Sequence, residues 1–531
     1  MKIARKMFLC ALLLIVLNQR KQADAQAPSG EPQRGITLAE AVQSTLLNHP
    51  LLSSQQAQVE ISRGQLEQQS GFFDSITQAG IANDRNIIPL TRSQIQQNEH
   101  SGIFDQGQAT STIKSTIAVD RTFRNGITIT PGFTLGRSTD NLFNTNGLNT
   151  SNTSVAITFP LLRGRGRRVV AAQELAAVAE VDATIYDLNQ LISQLVVSTT
   201  TSYWNLVAAR KNLSIAYDAE ARGKNYVENV VAMADADHAP RNDVHEVTGN
   251  YAQRTAQRWV AEQQVVAAEV QLALDMGKSS GNVLTQVSEP VDDLPAAAGQ
   301  SIPSDSYASM QYYLEQALEH RADYQAARRR SAESAILLHA AKNKLLPQIN
   351  FSLATGYSGL NEGHNANSFF GASVFGVRGP NANAGITYSF AKNNQTAKGQ
   401  LMQANGLARQ AELHAEELAR DVSAEVVIAV GAVRNAVLRM QKAHEAVEAF
   451  QAALDGEREK YRGGIGSVVD VLTVEDKLTS ALSEEVQARQ AYALALIQFR
   501  FATGTLLDAP GESVQKIEID KLLTLPFTKA P

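Results

Sequence analysis

Few groupings in this sequence have the residue types and spacing that chemistry requires. His245-Glu246 begins like a zinc-protease helix, where paired histidines hold the metal and the glutamate activates water, but no second histidine follows at the needed spacing. Gly277-Lys278-Ser279 ends like a phosphate-binding loop yet lacks the earlier glycine whose backbone would cradle the phosphates. The nine histidines are scattered without a ligand cluster. Cys10 is the only cysteine and lies in an apolar run near the start, so disulfides, thiolate metal sites and a cysteine nucleophile are not expected in the processed chain. No catalytic residue, metal or cofactor is expected.

Lys2, Arg5 and Lys6 precede an apolar run from Met7 to Leu17, followed by a polar stretch ending in Ala23-Asp24-Ala25. That is the pattern of a secretory signal peptide at residues 1–25, with Gln26 as the first residue after cleavage. The apolar run is shorter than the roughly 20 residues a membrane-crossing helix needs. No later stretch is as apolar, so the exported chain is expected to be periplasmic, secreted or a β-barrel, whose alternating strands hydropathy misses. With 48 basic against 53 acidic residues, nothing in the charge balance favours nucleic acid.

The elements are long. From Gly164 to about Ala234 there is no proline, and Ile185, Leu188, Ile192, Leu195, Thr199, Ser202, Leu206, Ala209, Leu213 and Ala216 recur at steps of three and four. A helix of about 70 residues would run on the order of 100 Å. A second seam contains Val426, Val430, Val433, Val437, Met440, Val447 and Leu454, with alanine beside it. Small neighbours suit helices packed into a curved wall; a plain coiled coil is the alternative. Between these blocks the period changes to two, at Ile127, Ile129, Phe133 and Leu135, at Val155, Ile157, Phe159 and Leu161, and again near Ile349-Phe351-Leu353 and Ile386-Tyr388-Phe390, which predicts strands.

Several segments recur at nearly constant separation: Ile157-Thr158-Phe159 with Ile386-Thr387-Tyr388, Asp243-Val244 with Asp470-Val471, and Met276-Gly277 with Thr503-Gly504. The chain therefore reads as two copies of one unit. The first spans 26–278, with strands in 75–162 and a long helix pair in 165–277. A linker rich in Ser, Pro and Gly covers 279–303. The second copy spans 304–507, with strands in 348–390 and a helix pair in 395–504, before a tail at 508–531. The first copy carries an insertion in its strand region around residues 90 to 137. A hairpin turning at Asn125-Gly126 falls there and could join the sheet or cap it.

Ile36-Thr37-Leu38-Ala39-Glu40-Ala41 with Asn48-His49-Pro50, Phe159-Pro160-Leu161-Leu162-Arg163-Gly164, Ala340-Ala341-Lys342 through Leu345-Leu346-Pro347-Gln348, and Tyr461-Arg462-Gly463-Gly464 with Asp470-Val471-Leu472 together resemble the TolC-like outer-membrane efflux family. The resemblance covers nearly the whole processed chain. It implies a mainly α protein with a membrane β-barrel portion: three copies close one barrel in the outer membrane, continued into the periplasm by an α-barrel of long antiparallel helices. It also implies a homotrimer acting as a passive duct in a tripartite efflux or type I secretion system, with a periplasmic adaptor (membrane fusion protein) and an inner-membrane pump as partners. A periplasmic coiled-coil adaptor or scaffold without a pore is the alternative.

By position, the resemblance assigns Asp243, Tyr461 and Asp470 to a constriction at the periplasmic tip, and Gly463, Gly464, Gly466 and Ser467 to an adaptor-docking turn. Each aspartate could equally cap the helix that follows it. The family's arginine falls on Gly466 and a further aspartate on Thr473, so Arg241 or Arg462 is the candidate cation for Asp243. Arg163, Arg165, Arg167 and Arg168, at the expected strand-to-helix junction, are candidate anchors for outer-membrane lipid phosphates, with an ordinary solvated turn as the bland reading.

Overall fold

The computed structural model describes residues 35–100, 102, 104–237, 240–278, 289–296, 307–374 and 376–507. The expected signal peptide, most of the linker and the C-terminal tail lie outside the described residues. The first helix, α1 (Leu38–Asn48), starts where Thr37 and Glu40 cap one another, Thr37 N donating to Glu40 Oε2 at 2.9 Å. His49-Pro50 ends it and starts α2 (Pro50–Ser70), because proline fits the first helical turn but not a helix interior.

Six strands follow in two groups. They are β1 (Ile76–Pro89), β2 (Gly107–Thr122), β3 (Thr128–Asp140), β4 (Leu148–Pro160), β5 (Gln348–Glu362) and β6 (Val377–Ser389). They form one antiparallel sheet in sequence order, β1-β2-β3-β4-β5-β6. Ile127, Leu161 and Phe390 sit just outside the strands that their alternation announced. The connection from β1 to β2 carries a helix, α3 (Arg92–His100).

The short α4 (Arg167–Val170) leads from β4 into α5 (Ala172–Asp235), which with α6 (Arg241–Asp275) makes a pair of 64 and 35 residues. After α7 (Tyr307–His320), α8 (Ala322–Asn343), β5, the short α9 (Ala366–Gly371) and β6, a second pair follows, α10 (Gln395–Arg462) and α11 (Val468–Ala502), of 68 and 35 residues. Among the described residues no helix is long and apolar enough to cross a membrane.

The helices pack side by side through two main cores. One joins α1, α2, α5, α6 and α11 through Leu38, Val42, Ile192, Tyr203, Trp204, Leu272 and Ile497. The other joins α7, α10 and α11 through Tyr313, Val426, Val433, Met440, Leu496 and Phe499. Thr199 and Ser202, the polar members of the first seam, are satisfied: Thr199 bonds to Thr45 at 2.8 Å and Ser202 to Asp275. Within the linker, residues 289–296 pack against the start of α1. Ile36 pairs with Pro290, Leu294 is buried, and Asp292 accepts from Leu38 N (2.7 Å) and the Tyr203 hydroxyl (2.8 Å).

Where sheet meets helices, the turn between β2 and β3 is fastened to α5. Arg124 holds Glu174 through bonds of 2.6, 2.8 and 3.1 Å and lies over the Phe73 ring. That guanidinium keeps the Glu174 carboxyl below the usual carboxylate range, outweighing the opposite effect of burial. Stability from a depressed carboxyl is present above its ordinary pKa and lost as pH falls through the depressed one. Acidification below about pH 4 should therefore destabilise the native chain more than Glu174→Gln, as read by thermal unfolding; parallel pH curves would show that the pair contributes nothing.

Candidate functional site

The two long helix pairs reverse at the same end of the molecule. In the first turn, α5 ends at Asp235, Asp237 takes a left-handed conformation (φ 59°), and Pro240 precedes α6. In the second, Gly463 N donates to Glu459 O at 3.0 Å, Gly464 N donates to Tyr461 O at 3.0 Å, and Gly464 is left-handed at φ 73°, where a side chain would be strained. Ile465, at this apex, is 85 % exposed. Ser467 and Asp470 then form a capping box at the start of α11.

These turns bring some of the tip candidates together and leave others apart. Tyr461 is packed with Tyr226, Val230, Val247, Val468 and Leu472, and its hydroxyl donates to Met233 Sδ at 3.4 Å. Burial raises the Tyr461 phenol, and the negative charge of Asp243 raises it further. Asp470 is occupied in the cap, the role its bland reading gave it. Arg241 and Arg462 are exposed and, among the described residues, neither pairs with Asp243, so the sequence-based cation for that aspartate is not found in this protomer. The reason is direction: each sits at a helix end facing solvent.

The cations gather instead deeper in the helix bundle. Glu475 on α11 is fully buried and meets three arginines, each from a different helix. Arg222 of α5 bonds to Oε1, Arg254 of α6 lies 3.5 Å from Oε2, and Arg458 of α10 lies 3.9 Å from Oε1. Arg254, only 3 % exposed, also pairs with Asp476 at 2.9 Å and donates to Ala219 O at 3.0 Å, while Asn250 reaches Asp476 at 3.2 Å. One carboxylate thus ties together all four long helices. Reading by residue type missed this cluster; the available signal was a charged residue on an apolar seam, Glu475 between Val468, Leu472 and Leu478.

At the other end of α5, the arginine run makes the strand-to-helix turn. Gly164 and Gly166 are left-handed (φ 78° and 91°), Arg163 donates to Gln348, and Arg165 Nη1 reaches Leu161 O at 3.5 Å. Arg167 and Arg168 are exposed on α4. Among the described residues no group of His, Cys, Asp or Glu is arranged to hold a metal.

The family model for outer membrane efflux proteins matches residues 313–505. Within those residues the chain is similar to that family. Solved structures extend the likeness of fold along about nine-tenths of the chain. The outer-membrane channel OprN superposes with a TM-score of 0.63 at 17 % identity, over 90 % of each chain. VceC of Vibrio cholerae gives 0.61 at 17 % identity, over 88 % of this chain and 96 % of its own. The open-state MtrE channel of Neisseria gonorrhoeae gives 0.60 at 16 % identity, over 88 % of each. No curated protein matches the chain.

Removing one partner of a buried ion pair leaves an uncompensated charge and costs about 3–5 kcal/mol, whereas losing an N-cap costs about 1 kcal/mol. Glu475→Ala should therefore lower resistance to guanidinium, followed by loss of helix signal, well beyond Ser467→Ala. Equal losses would mean that the arginine cluster is solvated and carries no load.

Proposed function

We propose that the chain is the passive exit duct of a tripartite efflux or type I secretion system: a homotrimer built from two structural repeats per chain, gated at its periplasmic turns and driven by an inner-membrane pump through a periplasmic adaptor. The observation that carries this reading is an unmatched pair of sides on the single chain. In the second half, α8 packs on its own long helix α10 and also on α5 of the first half. In the first half, α2 packs on its own long helix α5 and has no counterpart to the second contact. Its outer side exposes Leu51 and Ile61, and α10 exposes Met402 and Leu407. If α2 of one copy meets α10 of the next, as α8 meets α5, every helix gains the same surroundings and the ring closes.

The sheet supports the duct over the pore-free adaptor or scaffold. Large apolar residues of its strands, among them Ile81, Ile117, Tyr357 and Ile386, are exposed. That is costly in water and favourable in lipid.

Gating is assigned to the turns and the cluster above them. Tyr461 packs between the two helix pairs beside the turns, and the Glu475 cluster locks those pairs in one relative position, taking the place of an arginine at Gly466. The turn formed by Gly463, Gly464, Gly466 and Ser467 offers the adaptor a compact backbone with Ile465 at its apex. The arginines at 163, 165, 167 and 168 meet phosphates of the inner leaflet. The pump makes the selection of cargo.

Outer-membrane fractions should contain a heat-modifiable trimer; a soluble periplasmic monomer would favour the adaptor reading. In planar bilayers, Glu475→Gln and Tyr461→Ala trimers should conduct several-fold more than the native duct. Native conductance in both would remove the gate from this position.

A further inference from the structure

The first half of the chain contributes four strands to the sheet and the second half two. We infer that the additional hairpin, β2–β3, is part of the membrane wall, so that each chain supplies six strands and a ring of three chains closes an eighteen-stranded barrel. The count of three rests on the trimer proposed above; the count of six does not.

Position in the sheet is the first argument. β2 and β3 are interior strands, paired to β1 from Ile76↔Asp120 to Pro89↔Gly107 and to β4 from Thr128↔Thr158 to Ser138↔Leu148. At 16 and 13 residues they are as long as β4 and β5 and exceed the roughly 9–11 residues that a membrane strand needs. A cap folded over the mouth would interrupt the ladder, and it does not.

Side-chain alternation is the second. One row across the sheet runs Ala79, Ile117, Phe133, Thr153, Tyr357 and Pro380; the adjacent row, on the opposite face, runs Gly80, Thr116, Thr134, Asn152, Ser358 and Gly379. A further row on the first face runs Arg121, Ile129, Ile157, Leu353 and Ala384, its one charge lying on β2 at the helix end of the sheet. The mainly apolar middle of this face therefore continues across β2 and β3 through Ile113, Ile117, Phe133 and Leu135, in register with strands from both halves, with Arg121 and Arg137 towards its ends. The polar face continues likewise, with Lys114 and Asp120 on β2. A hairpin outside the wall would have no reason to keep lipid and water sides aligned with its neighbours.

Anchoring is the third. The turn at Asn125-Gly126 is held at the helix end of the sheet by Arg124–Glu174 and by Gly166 N donating to Asn125 O at 3.0 Å, and a Cβ at Gly126 would collide with Gly164 O. The hairpin thus spans the same levels as β4.

Closure fixes what completes the edges. The outer strands β1 and β6 are exposed along nearly their whole length. β1 leaves the helices and β6 returns to them, so β6 of one copy meets β1 of the next antiparallel, like every other pair in the sheet. A second copy of this chain is the occupant of each edge. Strand number sets barrel diameter, and eighteen strands leave an open aqueous lumen. Without β2 and β3, three copies would close only twelve.

The test uses the native trimer in lipid nanodiscs. Electron cryo-microscopy should show eighteen strands; a trimer with twelve, the hairpin lying outside the wall, would overturn this inference and leave the duct intact, while a particle without a barrel would overturn both. Single-cysteine trimers give an independent readout. A fluorophore on Ile117→Cys or Phe133→Cys should lose most of its emission to nitroxide-labelled lipid, and one on Thr116→Cys or Thr134→Cys should keep it. Equal quenching within these pairs would place the hairpin outside the wall.

Discussion

The constraint on which this structure depends is that backbone N–H and C=O groups cannot remain unpaired in hydrocarbon. Each such group left open there costs several kcal/mol. A six-stranded sheet of one chain satisfies its interior and leaves two rows open, on β1 and β6. No rearrangement within the chain repairs that, because the strands are tied at their ends to helices that fix their order. In the proposed ring, assembly is then part of the folding problem, and the helical wall must repeat at the same angular step as the sheet. The match between α8 seated on two long helices and α2 seated on one is the helical expression of the same unfinished edge.

What the sequence disclosed follows from periodicity. Val426, Val430, Val433, Val437 and Met440 fall on one stripe, and all are buried. Strand alternation at Ile129, Phe133, Ile157 and Phe351 was equally plain, since a side chain in a wall has only two directions to choose from. The glycines at 464 and 166 marked turns because left-handed backbone selects them.

Three features were not legible, each for a physical reason. The place of the inserted hairpin depends on pairing with strands distant in sequence, and periodicity says which face a residue takes but not which neighbour. The stretch 289–296 reads as linker by composition, yet Asp292 and Leu294 fasten it through one carboxylate and one buried side chain, too sparse to register as an element. The Glu475 cluster draws its four main members from four helices. Each arginine alone looks like an ordinary charge on a solvated face, and only the packing of both helix pairs brings them to one point. Arg241 and Arg462, in the same turns as Asp243, are exposed, and among the described residues of one protomer neither pairs with it.

Position along the duct decides what these features can control. Segments of a conduit in series add their resistances, so a broad barrel at one end sets little of the total once the other end is narrow. In the proposed duct, control therefore belongs to the helix turns. A lock there must hold firmly and still release, which a large apolar contact between helix pairs would do poorly. A buried carboxylate shared by three arginines behaves differently: the desolvation cost of the ions offsets much of their attraction, leaving little net stabilisation but a severe penalty for intermediate positions in which a charge has lost its partner. Such a cluster favours two distinct arrangements over a continuum. Tyr226, bonded to Arg458 at 3.2 Å and packed with Tyr461, connects the cluster to the turn itself. A partner that presses on the exposed turn then acts on the same set of side chains that holds the helix pairs together.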